Sequence, residues 1–77
     1  MKEKIEKEMK KTKEMIKAFM KYTRLSIRDM QKYFKEGDFA NAKIEAEDAV
    51  DLLMWISQEL EVLARLEKIS EDDGKND

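Results

Sequence analysis

The residues in this chain that could do chemistry are charged, and they fall in two groups of opposite sign. Glu45, Glu47, Asp48 and Asp51 put four carboxylates within seven positions. Such a group could hold Mg²⁺ for phosphoryl hydrolysis, but a Mg²⁺ site needs carboxylates converging from two helices. The segment expected to face this group supplies only Asp29, and the group itself fans over more than a third of a helix circumference. Lone charge clusters of this kind are usually solvated, so no metal ligands and no catalytic residues are assigned. The chain has no histidine and no cysteine. Their absence removes His-based acid–base catalysis, thiol nucleophiles, disulfides and the usual structural zinc sites. No cofactor-binding pattern is present, and the reading is of a protein that is not an enzyme.

The second group is basic. Lys10, Lys13, Lys17, Lys21, Arg24, Arg28 and Lys35 recur at intervals of mostly three or four. On a helix they share one face, with no acidic residue among the positions of the stripe itself. A rail of this kind could follow a phosphate backbone. The aromatics lie on other faces, so the stacking platform of single-strand binders is missing. The favoured alternative is a solvated face attracted to the acidic half of the same chain or of a partner. Residues 1–36 carry a net charge of +6 and residues 37–77 a net charge of −8, within a total of −2.

These groups are positioned by two long periodic segments. In the first, Ile5, Met9, Thr12, Ile16, Phe19/Met20, Thr23, Ile27, Met30 and Phe34 trace one apolar stripe, which predicts a helix over about 3–36. Glu3–Lys7 and Glu6–Lys10 have the spacing for supporting ion pairs. In the second, Phe39, Ala42, Ala46, Ala49, Leu53, Ile56, Leu60 and Leu63 predict a helix over about 39–69. Between them stands "KEGD". Gly37 is placed to end the first helix in the left-handed conformation, and Asp38 to cap the second. The chain has no proline and only one other glycine, Gly74. The expected fold is all-α: a long antiparallel helical hairpin forming one domain over 1–69. A polar, acidic tail over 70–77 is expected to be disordered. A three-helix up-down-up bundle, with a break near "YTRLS" at 22–26, is the alternative.

A hairpin with one stripe per helix leaves apolar surface over. Met15, Phe19, Tyr22 and Ser26 form a second stripe on the first helix, and Leu52, Trp55, Val62, Leu66 and Ile69 on the second. The expected use of this surface is a homodimer, two hairpins making a four-helix bundle. Its interface would hold Met15, Phe19, Tyr22, Leu52, Trp55, Val62 and Leu66, with Trp55 shielded at the dimer contact. A different protein is a further candidate partner, and nucleic acid is the weaker alternative, through the basic stripe. No apolar run approaches the ~20 residues that span a bilayer, so no membrane role is expected. The first residues lack the apolar stretch of a secretion signal. Together with the lack of cysteine, this points to the cytoplasm.

The stretch "YFKEGDFANAKIEAEDAVDLL", 33–53, resembles a single tetratricopeptide-type helix pair in its aromatic pair, its Gly-Asp-aromatic turn and Ala42 and Ala49. That family's helix-A tryptophan, leucine and glycine are replaced by Ser26, Asp29 and Met30, and the length excludes a solenoid. Residues 27–56 are also similar to a small archaeal family of helical-bundle proteins of unassigned function (the domain-of-unknown-function 357 type). That resemblance implies an archaeal source and a three-helix bundle, and no activity.

Overall fold

A computed structural model describes residues 2–76, with side chains to Asp72. Two helices make up the described chain: α1, Lys2–Lys35, and α2, Phe39–Asn76. They pack side by side as an antiparallel hairpin within an envelope of 60 × 14 × 12 Å. α1 is continuous through 22–26, so the three-helix alternative does not hold. Nothing in that stretch forces a break. Thr23, the candidate cap, instead stays helical and donates its hydroxyl hydrogen to the carbonyl of Phe19, at 2.7 Å. A mid-helix threonine commonly satisfies itself in this way.

The reversal is built as the residue types predict. Gly37 has φ +76°, and no other glycine or non-glycine described has a positive φ. The Gly37 amide donates to the Phe34 carbonyl at 3.1 Å, and the Asp38 amide donates to the Tyr33 carbonyl at 2.9 Å. These two bonds define a Schellman ending, and they satisfy carbonyls that α1 would otherwise leave without partners. Lys32 and Lys35 lie in the last turn, where the helix dipole favours positive charge. Asp38 then opens α2. Its backbone carbonyl accepts from Ala42, and its carboxylate accepts from the Asn41 amide at 3.3 Å and the Asn41 side chain at 2.7 Å. Phe34 and Phe39 close over the turn, with ring centroids 5.8 Å apart. Asp38→Ala is expected to destabilise by about 1 kcal/mol through loss of this cap; the midpoint of urea unfolding measures it.

The seam between the helices follows a stricter period than the apolar residues suggest. On α1 the seam residues are Ile5, Met9, Thr12, Ile16, Phe19, Thr23, Ser26, Met30 and Tyr33, with Asp29 half-buried at their edge. On α2 they are Ala42, Glu45, Ala49, Leu52, Ile56, Glu59, Leu63, Leu66 and Ser70, with Ala46 half-buried at their edge. Steps of four and three alternate throughout, a 3.5-residue repeat of the coiled-coil kind. The expected stripes are therefore corrected at six large residues. Met20, Ile27, Phe34, Phe39, Leu53 and Leu60 lie outside the seam and are exposed. Small or polar residues take eight of the inner places, and the Thr, Ser and Ala among them allow the two helices to approach closely.

α2 also runs on through Asn76, past the expected end at 69. Ser70 occupies the next inward position of the repeat, and no proline interrupts the chain beyond it. A single glycine, Gly74, costs a helix only about 1 kcal/mol. Residues 70–76 are thus helical where a disordered tail was expected; Asp77 lies outside the described residues.

Four ion pairs join described residues: Glu14–Lys17, Arg28–Asp29, Lys43–Glu47 and Glu61–Arg65. All are exposed and each is worth little. Glu3–Lys7 and Glu6–Lys10 are not among them. The core is thin. Ile16, Ala42, Ala49 and Ile56 are 5–8% exposed, Thr12 and Thr23 join them, and no large side chain among the described residues is fully enclosed.

Candidate interaction surfaces

Beside a two-helix seam there are two flanks, and both remain apolar. Fifteen large hydrophobic side chains are at least about a third exposed. Isolated exposed hydrophobes are ordinary, but contiguous bands of them mark interaction sites.

One flank holds Trp55. Its indole stacks obliquely on Phe19, with centroids 5.7 Å apart, and still leaves the residue 51% exposed. A groove on this side is lined by Tyr22, Ser26, Asp48, Asp51, Leu52 and Trp55. The structure divides the expected interface group. Phe19, Leu52 and Leu66 are half-buried in the seam of the hairpin itself. Met15, Tyr22, Trp55 and Val62 stand exposed on this flank. Their aromatic and aliphatic surface is mixed with carboxylates towards the turn, where Asp29 and Asp48 occupy the corresponding positions of the repeat.

The opposite flank was assigned to the core by residue type, and it is the surface that the sequence reading missed. Met20, Ile27 and Phe34 recur every seven residues on α1. Phe39, Leu53 and Leu60 do so on α2, with Ala46 in the gap. All six large residues are exposed, Phe34 and Phe39 most of all, at 66% and 64%. The seven-residue interval was the available signal. Positions seven apart keep one bearing along a coiled-coil seam, whereas on a straight helix they drift by about 20° per heptad.

The basic residues Lys10, Lys13, Lys17, Lys21, Arg24, Arg28 and Lys35 are all exposed on α1. The face is less uniform than its spacing suggests. Glu14 reaches Lys17 at 3.7 Å and Asp29 reaches Arg28 at 3.9 Å, so acidic side chains stand within it. The acidic group on α2 disperses. Glu45 is half-buried at the seam, Glu47 pairs with Lys43 at 3.8 Å on the outside, and Asp48 and Asp51 border the Trp55 groove. Among the described residues no three acidic, histidine or cysteine side chains gather in a metal-holding arrangement. No described helix is long and apolar enough to cross a membrane.

Fold and surfaces together define an all-α protein, a long helical hairpin with apolar flanks. Compared with protein-family models, curated proteins and solved structures, the chain matches none of them.

Proposed function

We propose that this hairpin is a non-catalytic association module whose activity is to bind protein, in the first place a second copy of itself. The observation that carries the reading is the thin core beside two exposed apolar flanks. Ordering a chain costs about 1–2 kcal/mol per residue in backbone entropy alone. One seam with four buried apolar side chains returns little of that. Packing two hairpins into a four-helix bundle would bury a flank from each and supply the missing core. With no cysteine, and no metal-holding group among the described residues, to staple so thin a core, association is the route that this reading favours. The cysteine-free composition suits a reducing cytoplasm.

Sedimentation equilibrium at micromolar concentration is expected to give about twice the chain mass of 9.2 kDa. A stable, compact monomer over that range would refute the reading. A second reading uses the basic residues, every one of which is exposed on α1. A gel shift with single- or double-stranded nucleic acid that fades steeply as salt rises would favour it.

A further inference from the structure

We infer that the second copy docks on the flank formed by Met20, Ile27, Phe34, Phe39, Leu53 and Leu60, with both turns at the same end and α1 of each copy against α2 of the other. This inference rests on the dimer proposed above and specifies its face and orientation.

The choice of flank follows from what interrupts each one. On the Trp55 flank, Asp29 and Asp48 occupy the turn half. A like-ended second copy there would bring four carboxylates together, with loss of solvent and mutual repulsion both opposing it. On the other flank the turn half is continuous: Phe34 against Phe39, then Ile27 level with Ala46, then Met20 level with Leu53. Charge enters only beyond that, at Lys13. Two shallow concavities open around this same half. One is lined by Met30, Gln31, Phe34 and Lys35 on α1, the other by Lys43, Ala46, Glu47, Val50 and Asp51 on α2. Each offers a hole for side chains of a facing helix, as interdigitating helices require.

Area agrees with a dimer of ordinary kind. The molecule is 60 Å long and 12–14 Å across. One long face therefore has a plan area of roughly 720–840 Å², close to the ~800 Å² per partner of a standard interface.

Charge then selects the orientation. Beside the apolar band, α1 presents Lys10, Lys17 and Arg24, and α2 presents Val50, Ser57 and Ala64 at the equivalent positions of the repeat. With Phe34 level with Phe39, one residue back along α1 matches one residue forward along α2. Arg24 is then level with Val50 to within one residue, Lys17 with Ser57 and Lys10 with Ala64. A two-fold axis along the molecule sets α1 over the partner's α2 at equal height, which brings each basic residue to an uncharged one. A two-fold axis across the molecule sets α1 over the partner's α1, and basic residues meet basic ones. Like charges bordering an apolar contact select against that second arrangement. In the favoured arrangement the Phe34–Phe39 pairs of the two copies also meet as a cluster of four rings.

Three measurements on the full chain test this. Sedimentation of Leu53→Glu should show dimer dissociation raised at least 100-fold, while Val62→Glu, on the other flank, changes it less than threefold. Circular dichroism on both variants separates loss of the dimer from loss of the helices. A spin label on Lys2→Cys, the only thiol in the chain, should give an inter-copy distance below about 30 Å; the crossed arrangement puts it beyond about 40 Å at 1.5 Å per residue. Trp55 should stay open to acrylamide quenching in the dimer. Loss of the dimer with Val62→Glu but not Leu53→Glu, or a shielded Trp55, would move the interface to the other flank and leave the dimer standing. A long label distance would overturn the orientation alone. A wild-type chain that is monomeric throughout would remove both this inference and the reading beneath it.

Discussion

Ile56→Ala is expected to lower the stability of the protein by about 2–4 kcal/mol, the largest loss of any single truncation on α2. Ile56 is 6% exposed and occupies the middle of the seam, with Ala49 and Leu63 one repeat to either side. Removing three carbons there forfeits their transfer from water and leaves a cavity that two stiff helices close only in part. The upper end of the range applies to sites that cannot collapse, and a two-helix seam can narrow somewhat, which favours the lower half. Leu53→Ala, three residues away and exposed, should cost the monomer far less. The same comparison sets the size of the effect for Trp55 in the single hairpin. Full burial would have made Trp55→Ala a loss of 3–5 kcal/mol, but with half its surface exposed the indole contributes mainly its contact on Phe19. Urea unfolding of the variants at one fixed chain concentration measures the order, since any self-association makes stability concentration-dependent. Equal losses for Ile56→Ala and Leu53→Ala would mean that the seam is not where the structure puts it.

The hairpin was legible because its signals are local and chemical. Thirty residues without a breaker, then Lys-Glu-Gly-Asp, then thirty more leave few folds open, and Gly37 and Asp38 each have one conformational reason to be where they are. The seam was less legible because residue type and position disagree. Ile27, Phe34, Leu53 and Leu60 are as apolar as any core residue, while Thr12, Thr23, Ser26, Glu45 and Glu59 are not. A reading by hydrophobicity puts the first set inside; the 3.5-residue repeat of two helices winding on each other puts the second set there. That disagreement is informative in itself. Large residues that lie outside the seam stand on a surface, and a surface of that composition is what supports the proposed further layer. The residues expected at an interface divide for the same reason. Met15, Tyr22, Trp55 and Val62 do lie on an exposed flank, but Phe19, Leu52 and Leu66 serve the hairpin, and the opposite flank could be found only once the repeat was known.

Substitutions at Gly37 are expected to destabilise in the order Asn, Ala, Val, with Ala costing about 1 kcal/mol and Val more. The cause can be isolated here. A Cβ built on Gly37 meets no heavy atom within 4 Å, so crowding by neighbours contributes nothing. What remains is the backbone: φ is +76°, a conformation that a Cβ disfavours and a branched side chain disfavours most. Asparagine tolerates it best after glycine. The strain cannot relax by moving φ. The Gly37 and Asp38 amides are both committed to carbonyls of the last turn of α1, and Asp38 must keep its bearing to cap α2. A continuous helix through 36–39 would answer with the opposite sign, because alanine is the better helix former by nearly the same amount. Thermal unfolding of the three variants therefore reads the turn directly. A gain in stability for Gly37→Ala would mean that the two helices run on as one rod, and the flanks, which exist only beside a folded-back seam, would not form.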